Sequence, residues 1–133
     1  MRQSPDVLMR RLKKLPIGEI DWNAVAEEYK AKKRLGTHGD IPVERIAMAA
    51  AYLRVTKSVH QRFIAGYFDE SPSWMATIFK WLLLHPDARS HFALRVRGGR
   101  ADCLTMTDVR VVSLLPYDRQ PQGAMNLLKS RKR

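Results

Sequence analysis

Apolar residues recur every three or four positions along most of the chain, which is the spacing of helices that bury one face. The first such stripe, Val7–Leu15, has basic residues on its opposite side. A capping serine and a proline precede it at Ser4 and Pro5, and the breakers Pro16 and Gly18 follow it. The pattern predicts a first helix that begins at Ser4 and ends before Pro16.

Two longer segments continue the helical pattern. Asp21 is a good cap for a second helix that runs through WNAVAEEYKAKKRL to Gly36, and its glutamates precede its lysines as the helix dipole favours. A third helix is predicted to start near residues 40–42 and to cover VERIAMAAAYLRV. Its residues 47–51 are small on all sides, so neighbouring helices can approach closely, and we expect it to be the central helix.

The segment from Ser58 to Leu84 carries two further start signals. Ser58 and Gln61 have the spacing of a capping box, in which each side chain bonds the backbone of the other, and this predicts a fourth helix over Val59–Phe68. Ser71, directly before a proline, predicts a fifth helix over Pro72–Leu84.

The pattern is less regular after Asp87. Alternating apolar residues around Gly98 and Gly99 fit a hairpin over residues 92–106, which would form a wing beside the fifth helix. Alternatively, Asp87 caps a sixth helix that ends at Gly98, or the segment is irregular, since the second arm of the hairpin alternates poorly. A short helix capped near Thr107 is expected next, and the Pro-, Gln- and Gly-rich sequence from residue 116 predicts a flexible tail.

Length and composition fit one small domain. The chain has 133 residues, of which 45% are apolar, enough for a folded core. We therefore predict a mostly α-helical domain over residues 1–115 with a basic flexible tail over residues 116–133. No apolar run in the chain approaches the length needed to span a membrane, and the first 15 residues lack the apolar stretch of a secretory signal. With Cys103 as the sole cysteine, a cytoplasmic location is expected.

Charge changes this picture. The formal net charge is +11, and residues 89–133 hold ten basic side chains against three acidic ones. A basic surface attracts polyanions because binding releases their condensed counterions. An imbalance of this size favours nucleic acid as the partner over a role in solubility alone.

Residues 61–78 have the spacing of a helix-turn-helix unit: Gln61, then an apolar residue and an alanine, a polar break, and two apolar residues three apart. The presumed packing positions are Ile64, Ala65, Phe68, Met75 and Ile78. The segment resembles the helix-turn-helix superfamily of bacterial and phage regulators, although it points to no particular family. Asp69 replaces the usual turn glycine, and Glu70 replaces an apolar residue, so Glu70 is expected to point outward or to distort the turn.

The resemblance implies binding to duplex DNA through the fifth helix. Gln61 would lie near a phosphate, Ser73 and Thr77 would face base edges, and Lys80 would reach the backbone. Because this face offers no Arg, Asn or Gln for paired contacts to bases, weak sequence preference is expected. The predicted DNA contacts are Gln61, Arg62, Ser71, Ser73, Thr77, Lys80, Arg95, Arg97, Arg100, Lys129, Arg131, Lys132 and Arg133.

Two other functions stay open. The fifth helix is apolar on most sides, so Trp74 and Phe79 are candidate contacts for a protein partner or a second copy, as in an adaptor protein. The arginine-rich segment 95–100 also fits RNA binding. The four histidines are scattered and Cys103 has no activating pattern, so we expect no catalytic residue, metal site or cofactor.

Overall fold

The structure is a computed structural model that describes residues 5–37, 41–93 and 103–131. Helices dominate these ranges, as predicted. They are α1 (Pro5–Lys13), α2 (Trp22–Arg34), α3 (Val43–Val55), α4 (Gln61–Tyr67), α5 (Pro72–Leu82), α6 (Pro86–Arg89), α7 (Val109–Ser113) and α8 (Gln120–Arg131). Two single 3-10 turns, Met106–Asp108 and Tyr117–Arg119, precede α7 and α8.

Local capping chemistry sets the ends of α2 and α5. The Asp21 carboxylate accepts a hydrogen bond from the Ala24 amide at 3.1 Å, and Ser71 Oγ accepts one from the Trp74 amide at the same distance. Gly36 follows α2 with φ +76°, a left-handed conformation that costs glycine little. The predicted starts of α2 and α5 are therefore confirmed.

Helix α3 is the centre of the fold and packs against α1, α2, α4 and α5. Ala47, Ala49, Ala50 and Ala51 are completely buried along it. Because alanine projects only one methyl group, the surrounding helices can lie close to the α3 backbone on several sides. Larger side chains from those helices, such as Phe79, fill the remaining space. The predicted central position of this helix is confirmed.

The capping box predicted at Ser58 and Gln61 is wrong. Helix α4 begins at Gln61, and the Nδ1 atom of His60 accepts the hydrogen bond from the Arg62 amide at 3.2 Å. Ser58 instead has φ +54°, and the amide of Val59 bonds back to the Leu53 carbonyl at 3.0 Å. Ser58 thus belongs to the end of α3 rather than to the start of α4.

The flexible tail predicted from residue 116 is also wrong over residues 117–131. Helix α8 packs on α6 and α7, with Ala124 fully buried and Leu128 nearly so. Gln120, itself buried, accepts from the His85 amide at 2.9 Å and donates to the Leu115 carbonyl at 3.2 Å. The Pro-, Gln- and Gly-rich composition did not indicate this helix, because the helix is stabilised by these tertiary contacts.

The sixth helix predicted to end at Gly98 is wrong, because α6 ends at Arg89. Phe92 instead forms an isolated bridge with Leu104, and the two segments run parallel there. A two-residue hairpin joins antiparallel strands, so this bridge is not the base of the predicted wing. The tip of that wing, residues 94–102, lies outside the described residues.

Across the described ranges, no helix is long and apolar enough to cross a membrane.

Candidate nucleic-acid interface

Helices α4 and α5 are joined by a tight turn in which Asp69 has φ +55°. The Phe68 and Glu70 amides both bond to the Ala65 carbonyl, at 3.1 and 3.0 Å, which folds the chain back at the end of α4. Ala65 is completely buried, so α5 can lie directly against α4. The presumed packing positions Ile64, Phe68, Met75 and Ile78 are also completely buried.

Glu70 does not point outward, which was one of the two alternatives that the sequence left open. Its side chain is only 13% exposed and forms an ion pair with Lys33 of α2, while the Tyr29 hydroxyl donates to it at 3.2 Å. Lys33 also bonds the Asp69 carbonyl and lies 3.7 Å from the Asp69 carboxylate. One lysine therefore offsets much of the negative charge at the turn.

The exposed side of α5 carries Ser73, Thr77 and Lys80, which fall on one face because they are four and three residues apart. Ser73 and Lys80 are exposed, and Thr77 is half-buried. The Thr77 hydroxyl donates to the Ser73 carbonyl at 3.2 Å, so part of its bonding capacity is already used within the helix. Ser71 sits at the start of this face as the helix cap.

Helix α4 brings two predicted residues to the same end of α5. Gln61 Nε2 lies 3.5 Å from the Pro72 carbonyl oxygen, which places the start of α4 beside the start of α5. Arg62 is exposed, and its guanidinium lies over the Phe63 ring at 4.9 Å. Because Arg62 directly follows Gln61, this cation lies at the end of α4 that is beside the start of α5.

Arg110 is a member of this surface that the sequence did not reveal. It is exposed on α7, and its Nη2 atom donates to Ser73 Oγ at 2.7 Å. Thirty-seven residues separate the two positions, and a lone arginine between valines carries no local signal of such a contact. We name Arg62, Ser73, Thr77, Lys80 and Arg110 the α5 face.

The predicted C-terminal contacts are not gathered on the α5 face in the described structure. Lys129 is exposed on α8, which packs on α6 and α7, and Arg131 ends that helix. Arg95, Arg97, Arg100, Lys132 and Arg133 lie outside the described residues.

The two aromatic residues predicted as partner contacts differ in burial. Phe79 is 1% exposed and belongs to the core, so its prediction as a contact is wrong for this conformation. Trp74 is half-buried, with its ring 5.5 Å from Tyr29 and 6.2 Å from Phe68. Helix α5 is apolar on most sides because it is packed on most sides.

Several exposed apolar side chains lie in α7 and in the connection that leads to α8. Leu114 is 77% exposed, Val111 55% and Tyr117 52%. These three exposed residues lie close together in sequence, as residues of a partner contact could.

The part of the chain that the structure describes contains no cluster of three or more His, Cys, Asp or Glu side chains placed to hold a metal ion. Cys103 is a free, half-buried thiol.

Comparison with known proteins finds no matching family, no similar curated protein and no similar solved structure.

Proposed function

We propose that this protein binds duplex DNA through the α5 face, as a helix-turn-helix regulator or accessory protein. The observation that carries the proposal is the contact between Arg110 and Ser73, because it places a cation from α7 on the exposed side of α5. Arg62 supplies a second cation from α4, and Lys80 a third about 10 Å along the helix. Such a row of cations fits the phosphates that flank a groove.

Charge at the turn supports the same surface. Asp69 and Glu70 would repel phosphate if both were free, but Lys33 contacts both, and Glu70 is turned toward Tyr29. Lys33 thus offsets part of the negative charge beside the α5 face, while the Asp69 side chain is 78% exposed. The positive end of the α5 dipole points to the same side, where it favours phosphate.

The same contacts predict weak sequence preference. Thr77 bonds the helix backbone and Ser73 accepts from Arg110, so both hydroxyls already have a partner. Phosphate contacts then dominate the affinity, and binding falls steeply with salt.

The test is a fluorescence-anisotropy titration of labelled duplex DNA over a salt series. A plot of the logarithm of the binding constant against the logarithm of the salt concentration gives a slope set by the number of phosphate contacts. The variant Arg62→Ala/Arg110→Ala is expected to make this slope shallower by about 2, close to 0.9 for each lost phosphate contact. Lys13→Ala is the matched control, since Lys13 is an exposed cation on α1, and α1 contacts the far end of α5 through Arg11 and Leu83. Absence of DNA binding at low salt, or equal slopes for both variants, would refute the proposal. Tighter binding to duplex RNA of equal length would favour the RNA hypothesis.

Binding of a protein partner is the second candidate function. Residues of α7 and of the connection to α8 favour it, rather than the α5 residues predicted from the sequence. Val111, Leu114 and Tyr117 are each exposed and lie close together in sequence, whereas Phe79 is buried. Association through an apolar patch survives high salt, because it depends little on charge. Sedimentation of the protein at 1 M NaCl would detect association with a second copy, and Leu114→Ser should abolish it.

A further inference from the structure

A second polar surface lies at the opposite end of α5, about 15 Å from Ser73 along the helix. There α1, the end of α5, α6 and the α7–α8 connection surround a cleft of about 490 Å³. This volume falls within the range of sites that bind small molecules. The cleft shares no residue with the α5 face, so its function is independent of DNA binding.

The cleft combines cations with an apolar floor. Arg11 of α1, Lys14 directly after α1 and Arg89 of α6 line it, and none of its lining residues is acidic. Leu15 and Leu83, which are half-buried, and Leu115, which is exposed, supply apolar surface in the lining. A ligand that matches both properties carries a negative charge on an apolar body.

The polar side chains around the cleft are held in place. Arg11 Nη2 donates to the Leu83 carbonyl at 3.0 Å, which leaves most of its five N–H groups for a ligand. The Arg89 guanidinium lies over the Trp81 ring at 5.4 Å. Because these contacts limit side-chain motion before any ligand arrives, binding would cost little conformational entropy.

The lining residues from the α7–α8 connection and α8 are also held by contacts with their neighbours. The Tyr117 ring lies 4.8 Å from that of His85, and Gln120 is bonded on both sides of its amide. Both residues line the cleft. Carbonyl groups at the end of α5 oppose an anion, but Arg11 already bonds the Leu83 carbonyl and offsets this effect.

We propose that this cleft binds a small organic anion, a carboxylate or similar group attached to a hydrocarbon or aromatic body. The cations would hold the charged group, and the leucines the apolar part.

Calorimetric titration with decanoate, below its micelle concentration, tests the proposal on the full chain. Decan-1-ol has the same hydrocarbon length without the charge, and sulfate has charge without an apolar body. We expect saturable 1:1 binding of decanoate that is at least threefold tighter than that of either comparison compound. A preference smaller than threefold, or no saturable binding of decanoate, overturns the proposal.

Variants locate the site. Lys14→Gln should weaken decanoate binding about three- to fivefold, because it removes one cation from the cleft. Lys13→Gln is the matched control. Lys13 is adjacent to Lys14, is also exposed and carries the same charge, but it does not line the cleft. Leu115→Glu should weaken binding further, since it puts a carboxylate in the wall. Equal effects of the two lysine variants would overturn the assignment of the site, and matching thermal melts would show that each variant is folded.

Discussion

The ion pair between Lys33 and Glu70 joins α2 to the turn between α4 and α5, and its removal should destabilise the protein measurably. The Glu70 side chain is 13% exposed and that of Lys33 29%. Replacement of Lys33 by methionine keeps the hydrocarbon stem but leaves the carboxylate without its cation. The Tyr29 hydroxyl still donates to Glu70, so some stabilisation of the charge persists.

The burial of the pair sets the expected magnitude. Exposed ion pairs contribute about 0.2–1 kcal/mol, whereas breaking a fully buried pair costs about 3–5 kcal/mol. Because Lys33 and Glu70 are partly buried, we expect Lys33→Met to lower the free energy of unfolding by about 1–3 kcal/mol. Lys32→Met is the control, since Lys32 pairs with Glu28 at 3.8 Å on the surface and its loss should cost less than about 0.5 kcal/mol.

Urea unfolding followed by circular dichroism measures both changes. A double-mutant cycle with Glu70→Gln isolates the pair, and we expect a coupling free energy of about 1–2 kcal/mol that persists in 1 M NaCl. A coupling below about 0.5 kcal/mol, or one abolished by salt, would show that Lys33 and Glu70 behave as an ordinary surface pair and would refute this reasoning.

Two further predictions concern helix ends and packing. Ser71→Ala removes the hydrogen bond to the Trp74 amide and should destabilise α5 by about 1 kcal/mol in the same urea assay, whereas Ser71→Thr, which keeps the hydroxyl, should cost clearly less. Leu128→Ala should cost about 2–3 kcal/mol because this side chain is 9% exposed, while Met125→Ala on the 37% exposed side of α8 should cost under 1 kcal/mol. Equal losses for Leu128 and Met125 would contradict the described packing of α8.

The elements that could be predicted from sequence are those fixed by neighbours along the chain. Asp21 and Ser71 cap helices because the amides they bond are three residues away. The central position of α3 followed from its small residues, which permit close packing on any side. Sequence patterns capture such features because the interacting groups are fixed by local spacing.

The features that could not be predicted depend on partners distant in sequence. Glu70 turns inward because Lys33 and Tyr29 reach it from α2. Arg110 joins the α5 face through a contact to Ser73 that spans 37 positions. Composition likewise suggested a flexible tail where Gln120 anchors α8 by bonding the backbone around α6 and α7. No local pattern records these pairings, because they form only when the helices meet.

The central place of α3 also has a consequence for how the molecule opens. Since α1, α2, α4 and α5 all pack on it, we expect the amides of α3 to be among the slowest to exchange with solvent. Helix α8 rests instead on α6, α7 and the turn before it, so it can detach while the centre stays closed. Hydrogen exchange should therefore divide the chain into a slow unit around α3 and a faster unit at α8. The cleft proposed to bind an organic anion is lined by Gln120 of α8 and Leu82 of α5, so it lies at the boundary between the slow and the fast unit.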